Sequence, residues 1–313
     1  MPTVSVVVPC HNGGQFLSAS IRSILEQEVA NATLEIVVVD DRSSDPSTMK
    51  ELTKWAAHPR VRVMPSEGAP GPSGARNTGI RRSEGEWIAF LDDDDLWLPR
   101  SLQHRLDVLE IYPDATFISA DFIRLIGGRQ ESEQGFFRTR PLTRELLKPA
   151  LQSGRIQRLE RPVNLFLQVI LTWTSVAMAR RDVLLDIGGF DEGLMKAEDN
   201  HLWIRLARRE DLVFTPHVVA LYRQRSGSLT DEKEPPRHWS IIAYEKLLAD
   251  PDFRPYRRAI RNRLSGFALE NAYYHRRLGE RRKAIEQARL AVTRAPGALR
   301  NWKALMGSLL GRP

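Results

Sequence analysis

The sequence contains one cysteine, Cys10, among 313 residues, so it cannot form an intramolecular disulfide. This pattern gives no support for an oxidising compartment, and a cytoplasmic location fits best. A membrane-spanning run is also missing, because polar side chains such as Asn164 and Gln168 interrupt the longest apolar stretch, 163–179. We interpret that stretch as buried core. The chain enters a strand-like run at once, without the basic segment and apolar core of a signal peptide, so secretion is not expected.

Acidic residues are scarce at the C-terminal end. From Arg254 onward there are 15 Lys and Arg against three Glu, a net charge of +12, which leaves −5 for the preceding residues because the whole chain carries +7. This basic tail is expected to favour an anionic membrane surface through Arg257, Arg258, Arg261 and Arg263, making the protein peripheral at the inner face of the cell membrane. A solvated arginine-rich helical face is the alternative. Nucleic acid is not expected as a partner.

The first part of the chain contains alternating strand and helix signals. The runs Val4–Val8 and Ile36–Val39 are continuous and β-branched, which is typical of strands buried on both faces of a parallel sheet. Apolar side chains at helical spacing lie between them, over Phe16–Gln27, so the chain opens with a strand, a helix and a second strand. Similar patterns predict strands at Val61–Met64, Trp87–Leu91 and Thr116–Ala120, and a short helix at Ala75–Arg82. Residues 1–125 are therefore predicted to be an α/β nucleotide-binding half.

The second part has weaker periodicity. Residues 127–161 are basic and polar, and we interpret them as a surface excursion that shapes an acceptor site. A strand at Thr174–Ala179 and helices at Asp182–Ile187 and Ala197–Arg208 are predicted to complete an acceptor-side half, residues 126–230.

The end of the chain is predicted to be helical. Residues 231–253, which include Pro235-Pro236, are predicted to be a linker. Residues 254–313 follow as a basic extension of three helices, separated near Gly279 and at Pro296-Gly297.

Four consecutive carboxylates, Asp92–Asp95, follow the apolar strand end Phe90-Leu91. Like charges placed together are unfavourable unless something compensates them. On an extended chain Asp92 and Asp94 project to the same side, where they can converge on one hard cation and its phosphate oxygens. Ligands of α/β folds bind at such strand ends. A solvated acidic turn, or a helix N-cap before Leu96, is the alternative.

Two other predicted strands also end in polar turns. The first runs into Pro9-Cys10-His11-Asn12, and the second into Asp40-Asp41. A carboxylate at such a strand end can accept hydrogen bonds from a base or ribose. Turn formation and helix capping are the alternatives for Asp40 and Asp41. For His11, a contact with the base and a neutral loop histidine are both open.

Six short motifs occur in a fixed order within residues 1–230. They are Val4-Ser5-Val6-Val7-Val8-Pro9-Cys10-His11-Asn12, Val39-Asp40-Asp41-Arg42-Ser43, Ala75-Arg76-Asn77-Thr78-Gly79, Leu91-Asp92-Asp93-Asp94-Asp95, Gly188-Gly189-Phe190-Asp191-Glu192 and Ala197-Glu198-Asp199. Together they resemble the family-2 glycosyltransferases of the GT-A fold. The resemblance implies an α/β fold with a Rossmann-like mixed, mainly parallel sheet flanked by helices, here with a C-terminal α-helical extension. It also implies an enzyme that moves a sugar from a nucleotide-diphosphate donor to an acceptor hydroxyl.

The resemblance implies roles for individual donor-binding residues. Asp41 is expected to hold the nucleobase, with Pro9, His11 and Asn12 in the same pocket. Arg76 is expected to lie near the nucleoside or the diphosphate of the donor.

A second group of residues is implied to carry the reaction. Asp92 and Asp93 are expected beside the ribose and the donor sugar, and Asp94, with Asp92, is expected to bind Mg²⁺ or Mn²⁺. That cation stabilises negative charge on the departing nucleoside diphosphate. Asp199 is implied to be the general base of an inverting displacement, with Glu198 orienting the acceptor. A capped, acidic helix start is the alternative for both.

Two positions depart from the family's pattern. His11-Asn12 stand where many relatives have an aromatic residue, so stacking on the base is not implied here. Arg225 stands where a metal-binding histidine is common, and arginine cannot ligate a cation in this way. Arg223 or Arg225 is instead expected to donate to donor phosphate, with a surface loop as the alternative.

The expected donor is a UDP-sugar, and the expected acceptor is a cell-surface glycan or a lipid-linked oligosaccharide. A sugar nucleotidyltransferase is an alternative, but its glycine-rich basic loop is missing after the first strand. A non-catalytic nucleotide-sugar-binding scaffold is another alternative, against which the Glu198-Asp199 pair argues.

Overall fold

The computed structural model describes residues 1–224 and 234–310. Two units emerge from its contacts, residues 1–195 with 202–225 and residues 196–201 with 226–313. In this described part of the chain, no helix is both long and apolar enough to cross a membrane.

The described residues of the first unit form a mixed sheet of ten strands. The strands are β1 (Thr3–Cys10), β2 (Thr33–Asp40), β3 (Val61–Pro65), β4 (Trp87–Phe90), β5 (Leu96–Trp97), β6 (Phe117–Ile126), β7 (Arg129–Gln130), β8 (Gln157–Leu159), β9 (Met178–Arg180) and β10 (Leu212–Gln224). Their order is β3-β2-β1-β4-β9-β6-β10-β5, with β7 beside β6 and β8 beside β10. Strands β1 to β4 pair in parallel, as do β6 and β10, whereas β9 is antiparallel to both neighbours. The predicted fold class is confirmed.

Helices flank this sheet. They are α1 (Gln15–Leu25), α2 (Pro46–Ala56), α3 (Pro72–Arg82), α4 (Ser101–Ile111), α5 (Phe136–Thr139), α6 (Pro141–Leu146), α7 (Lys148–Ser153), α8 (Val163–Phe166), α9 (Arg181–Asp186) and α10 (Glu198–Arg209). Helix α3 packs closely on β1, because Gly79 has no side chain and a Cβ there would collide with Val7. The buried valines of β1 and β2 confirm that these strands are covered on both faces.

Several predicted elements differ from the structure. Helix α2 was not predicted, although Asp45 caps it by accepting from Thr48 N at 2.9 Å and Pro46 begins it. Residues Thr174–Val176 form a 3₁₀ turn, so the strand predicted to start there begins only at Met178. Helix α2 buries only Thr48, Leu52 and Trp55, so its apolar period is weak in the sequence.

The interpretation of residues 127–161 as a surface excursion is wrong in part. The segment contains helices α5 to α7 and strand β8, and Phe137, Leu147 and Leu151 are buried in the first unit. Their spacing follows no single helical or strand period, because each short helix contributes only one or two apolar side chains to the core.

The second unit is helical over its described residues. It contains α11 (His238–Ala249), a 3₁₀ helix (Pro251–Tyr256), α12 (Arg257–Arg277), α13 (Arg281–Arg294) and α14 (Leu299–Leu309), together with the first turn of α10. The three helices predicted after residue 254 are confirmed, and Gly279 adopts a positive φ of 73° between α12 and α13. The linker prediction is wrong for 238–249, because α11 occupies those residues.

A buried carboxylate on β6 holds the start of α5. Asp121 is 0% exposed, and its Oδ1 accepts hydrogen bonds from Phe122 N at 2.9 Å and Phe137 N at 3.0 Å. Its Oδ2 has no hydrogen-bond partner among the described residues, and a Cβ at Gly135 would collide with this carboxylate. Burial raises the pKa of Asp121 to about 6.

We expect Asp121→Asn to remove a pH-dependent loss of stability. Because the folded pKa lies above the ordinary value, the folded state binds the proton more tightly, and stability falls as pH rises from about 4 to about 6. Each pKa unit corresponds to about 1.4 kcal/mol, so between pH 4 and pH 7 wild type should lose about 2 kcal/mol of unfolding free energy relative to the variant. Urea unfolding at both pH values measures this difference. Parallel pH profiles for the two proteins would contradict the assignment.

Candidate active site

The carboxyl ends of three parallel strands lie side by side in the first unit. Cys10 at the end of β1 pairs with Asp40 at the end of β2, and Val7 of β1 pairs with Phe90 at the end of β4. The polar segments that follow these strands are therefore brought to one edge of the sheet, as the sequence predicts.

The loop after β1 is tied to both neighbouring loops. His11 N donates to Asp93 Oδ2 at 3.2 Å, and His11 Nδ1 lies 2.7 Å from the carbonyl oxygen of Asp41. Asn12 Oδ1 accepts from Ser44 N and Asp45 N, both at 2.9 Å. His11 and Asn12 therefore make hydrogen bonds that connect the loops after β1, β2 and β4, and Pro9 precedes them within β1.

Asp41 is held rigidly after β2. Its side chain is buried, Oδ2 accepts from Gly71 N at 2.6 Å, and Oδ1 pairs with Arg42 Nη1 at 2.5 Å. Arg42 also donates to the carbonyl oxygen of Gly68 at 2.8 Å. The loop before α3 is thereby fastened to the end of β2.

The four carboxylates form a turn, so the extended geometry expected for Asp92 and Asp94 is wrong. Asp95 N donates to the carbonyl oxygen of Asp92 at 3.1 Å, which closes the turn. Ser20 Oγ of α1 donates to the carbonyl oxygens of Asp93 at 2.9 Å and Asp95 at 2.6 Å. A serine from a neighbouring helix therefore fixes the backbone curvature, which the acidic sequence alone does not specify.

The last carboxylate of this acidic turn, Asp95, points into the protein. It is 0% exposed, accepts from Ser175 Oγ, and accepts from Arg223 N at 2.8 Å. Arg223 Nε donates to the carbonyl oxygen of Asp94 at 2.8 Å, and its guanidinium lies 4.8 Å from the ring centre of Phe16. Asp95 therefore anchors the turn, and Arg223 contacts its backbone.

The pKa of Asp93 is affected by its burial and by repulsion from the neighbouring carboxylates. Burial, and then the charges of Asp94 and Asp92, raise its pKa to about 7. Burial and the same two neighbours also raise the pKa of Asp95 well above its usual range. Gly13 leaves the space that the Asp93 carboxylate occupies, because a Cβ at this position would collide with it.

Arg76 compensates one of these charges. Its buried guanidinium pairs with Asp92 Oδ1 at 2.7 Å and lies 5.3 Å from the ring centre of Phe190. Asp92 N also donates to Ser175 Oγ at 3.2 Å. The structure thus places Arg76 against the acidic turn.

The motif Gly188–Glu192 supports the helix that carries Arg76. Asn77 of α3 accepts from Phe190 N at 2.8 Å and donates to Glu192 Oε1 at 2.9 Å. Glu192 Oε2 in turn accepts from Ala69 N at 2.7 Å. Gly189 has a φ of 65°, and a Cβ there would collide with Asn77. The motifs 75–79 and 188–192 are therefore packed together, and together they hold the helix that carries Arg76.

The acidic turn fits a hard cation only in part. Asp92, Asp93 and Asp94 supply oxygen donors whose mutual repulsion a cation would relieve. Within residues 1–224 and 234–310, however, no three His, Cys, Asp or Glu side chains are grouped as a complete metal-binding set. The turn therefore suits an ion that takes further ligands from substrate phosphates and water.

A half-buried aromatic cluster lies next to the residues that hold the acidic turn. Around buried Phe122, the ring centres of Phe136, Trp173 and Tyr222 lie at 4.7, 4.8 and 6.0 Å. Trp173 is close in sequence to Ser175, and Tyr222 immediately precedes Arg223. Sequence analysis missed this cluster, because its members lie far apart in the chain and no motif joins them.

Glu198 and Asp199 open helix α10 and belong to the second unit. Glu198 is 7% exposed, Asp199 Oδ1 accepts from Asn200 N at 2.6 Å, and Asn200 Nδ2 donates to Tyr244 OH at 3.5 Å. The acidic helix start is therefore present. Arg225, also predicted to contact the donor, lies outside the described residues.

Residues 5–188 match the sequence model of "Glycosyl transferase family 2". The chain belongs to this family. The resemblance drawn from the six motifs is thereby confirmed, and the protein is a family-2 glycosyltransferase with a GT-A fold.

Curated relatives resemble parts of this family-2 glycosyltransferase. A UDP-Glc:alpha-D-GlcNAc-diphosphoundecaprenol beta-1,3-glucosyltransferase, WfgD of Escherichia coli, is 39% identical over 106 residues, which cover 34% of this chain and 40% of the relative. The succinoglycan biosynthesis protein ExoO of Rhizobium meliloti is 39% identical over 107 residues, covering 34% of this chain and 30% of the relative. The matched regions thus span less than half of both relatives.

Solved structures share the fold of the whole chain. A structure of S. aureus TarS 1–349 in complex with UDP-GlcNAc has a TM-score of 0.67 at 16% identity, over 100% of this chain and 93% of that one. The mannosyltransferase PcManGT from Pyrobaculum calidifontis, in complex with GDP-Man and Mn²⁺, has a TM-score of 0.61 at 21% identity, over 99% and 80% of the two chains. At these identities the likeness concerns the fold.

We expect Gly13→Ala to lower the turnover of this family-2 glycosyltransferase without unfolding it. The added Cβ would displace the Asp93 carboxylate and with it the acidic turn. A shift of about 1 Å in a site can lower turnover roughly a hundredfold, which donor-hydrolysis assays would detect.

The matched control is Gly266→Ala in α12, where a Cβ meets nothing within 4 Å. Alanine is favoured over glycine inside a helix by about 1 kcal/mol, so this control should unfold at a higher temperature and keep full activity. Equal activity of Gly13→Ala and wild type would show that the space beside Asp93 is not required.

Proposed function

We propose that this family-2 glycosyltransferase transfers a sugar from a UDP-sugar donor to a hydroxyl of a cell-surface glycan or lipid-linked oligosaccharide. The acidic turn and buried Asp41, which follow two of three adjacent parallel strands at one edge of the sheet, are the observation that carries this proposal. The name of the E. coli relative, which specifies UDP-Glc and a diphosphoundecaprenol-linked sugar, supports both substrate classes. The name of the succinoglycan biosynthesis relative supports a glycan product.

The donor-binding part of the proposal uses the loops after β1 and β2. Asp41 accepts a hydrogen bond from the nucleobase, and Gly71 N and Arg42 hold its carboxylate in place. His11 and Asn12, with Pro9 before them, form the neighbouring wall. Arg76 acts through Asp92, because its guanidinium is already paired with that carboxylate.

The metal part of the proposal assigns Mn²⁺ or Mg²⁺ to Asp94, with Asp92 as a second ligand. When bound with the donor, this cation supplies electrostatic stabilisation of the leaving diphosphate. Asp93 lies beside these ligands, near the ribose and the donor sugar, and Asp95 stays a buried anchor rather than a ligand. Arg223 and Arg225 are assigned to donor phosphate as charge-assisted donors.

The chemical step proposed is a single inverting displacement. The acceptor oxygen forms a bond to the anomeric carbon as the bond to the diphosphate oxygen breaks, and the leaving diphosphate takes that electron pair. The Asp199 carboxylate takes the acceptor proton, and Glu198 orients the acceptor. One base is sufficient for this reaction.

The acceptor-side part of the proposal uses residues 126–230. The half-buried rings of Phe136, Trp173 and Tyr222 offer apolar faces beside the segments that hold the acidic turn. Sites for small molecules commonly combine such aromatic faces with a few fixed polar groups. We assign these rings to contacts with an acceptor sugar.

We expect Asp94→Asn to abolish Mn²⁺-dependent donor binding and most turnover, because an amide lacks the charge that holds a divalent cation. Calorimetric titration of UDP-sugars with and without Mn²⁺, followed by assay of released UDP, tests this. Asp186→Asn is the control, since it removes a surface carboxylate paired with Arg209 at 2.6 Å. Unchanged Mn²⁺-dependent affinity in Asp94→Asn would remove the metal assignment, and release of pyrophosphate by wild type would indicate a nucleotidyltransferase.

We expect Asp199→Asn to leave donor binding intact while lowering turnover roughly a hundredfold or more, the range for loss of a general base. Glu198→Gln, at the adjacent position, should have the smaller effect on turnover. Steady-state kinetics with a lipid-linked acceptor, together with donor titrations, compare the two. If Glu198→Gln alone lost turnover, the base would be Glu198.

A further inference from the structure

The last described helix, α14, presents an apolar face to solvent. Its members are Leu299, Trp302, Met306, Leu309 and the following Leu310, which are 69%, 46%, 52%, 37% and 58% exposed. At about 100° per residue, these five positions fall within an arc of about 100° on the helix. We call this stripe the α14 apolar face.

Contacts on the opposite side fix the rotation of α14. Asn301 is 0% exposed, and the two N–H groups of its Nδ2 are shared among three acceptors, Ser265 Oγ at 2.8 Å and the carbonyl oxygens of Ala291 at 3.0 Å and Ala295 at 2.9 Å. Ala304 and Ser308 are also buried on this side. Turning the apolar face inward would break the hydrogen bonds of a buried amide, so the stripe is held outward.

Basic side chains border the α14 apolar face. Arg300 and Lys303 are exposed on α14 itself, and the Arg276 guanidinium lies against Gly307. Arg281 donates to the carbonyl oxygen of Leu309, which brings the start of α13 to the end of the stripe. Exposed Arg277, Arg282 and Lys283 lie in the same turn region. The acid in that turn, Glu280, pairs with Lys283 at 2.8 Å and with His275 at 2.6 Å.

We propose that the α14 apolar face docks on an anionic lipid surface. Tryptophan and aliphatic side chains bordered by Lys and Arg are the composition of helices that lie in the plane of a bilayer interface. The apolar side chains enter the boundary between headgroups and acyl chains, and the basic border pairs with headgroup phosphates. A second copy of the same face is disfavoured as the partner, because contact between two copies would bring their basic borders together.

This surface differs from the lipid contact expected from the sequence. That expectation included Arg263, whose guanidinium instead lies 4.7 Å from the ring centre of Phe267 and whose Nε is buried with no hydrogen-bond partner among the described residues. Arg257, Arg258 and Arg261 are exposed, but they lie at the start of α12, whereas the border of the α14 apolar face is formed by the end of α12 and the start of α13. The proposed lipid contact therefore lies where basic side chains adjoin exposed apolar side chains.

The test is cosedimentation of the full chain with vesicles, without donor or acceptor, so its outcome is independent of the proposed reaction. Vesicles of phosphatidylcholine with phosphatidylglycerol should bind wild type at least about tenfold more strongly than phosphatidylcholine alone, and high salt should weaken the binding. The triple variant Leu299→Gln, Trp302→Gln, Met306→Gln should lower that binding about tenfold or more.

The matched control replaces three equally exposed apolar residues of the first unit, as Ile111→Gln, Leu142→Gln and Leu185→Gln, and should bind as wild type does. A charge variant, Arg277→Gln, Arg282→Gln and Lys303→Gln, should bind about tenfold more weakly and lose most of the salt dependence. Circular dichroism checks that α14 is retained, which the helix propensity of Gln favours.

A single, milder substitution, Trp302→Phe, tests the proposal without relying on the fold of the triple variant. Brominated phosphatidylcholine in the anionic vesicles should quench part of the tryptophan fluorescence of wild type, and Trp302→Phe should abolish this quenching while binding persists. Failure of wild type to bind anionic vesicles, or equal quenching in Trp302→Phe, would overturn the proposal. Self-association of wild type that the triple variant loses, with no vesicle binding, would also overturn it and identify an interface between copies.

Discussion

The crowding of four carboxylates into one turn is the constraint on which the site depends. Burial, and then repulsion from Asp94 and Asp92, raise the pKa of Asp93 to about 7, and groups from other segments hold the turn in place. Ser20 fixes its carbonyl oxygens, Arg76 pairs with Asp92, and Ser175 with the backbone N–H of Arg223 holds Asp95. These supports come from segments far apart in sequence. The acidic turn is therefore a product of the whole first unit rather than of the strand that precedes it.

The same constraint explains residues that carry no chemistry. Gly13 leaves room for the Asp93 carboxylate. Gly189 leaves room for Asn77, which accepts a hydrogen bond from Phe190 N and so joins the segment 188–192 to the helix that carries Arg76. Such glycines stand where another backbone or side chain approaches closely, and any Cβ would displace the acidic turn or its support. Conversely, Asp95 has the same side chain as its neighbours but lies fully buried, as an anchor. Within one run of identical residues, the surroundings decide which carboxylate is fully buried and which remain partly exposed.

Much of this arrangement follows from the sequence, because it rests on local patterns. The runs of β1 and β2 have the composition of doubly covered parallel strands, and their order brings polar loops to one edge. The turn geometry at Asp92–Asp95 could not be predicted, since it depends on a serine more than 70 positions away. The aromatic cluster around Phe122 is equally hidden, because its rings come from four separate segments. Features that depend on local composition, such as strands β1 and β2, can be predicted from the sequence. Features that depend on contacts between distant segments, such as the acidic turn and the aromatic cluster, cannot.

The net charge of the basic tail is a poor guide to its attraction for an anionic surface, because several of its arginines already contact other side chains. Arg263 covers the ring of Phe267, and Arg237, which precedes the tail, lies over the same ring while pairing with Glu270 at 2.6 Å. Arg294 pairs with Glu245 at 2.6 Å. These arginines stabilise the helices of the second unit through their stems and guanidinium planes. A charge that is already occupied in this way adds little to attraction for an anionic surface. Cations beside uncovered apolar side chains combine both terms of interfacial binding, and the border of the α14 apolar face is one such arrangement in the described part of the tail.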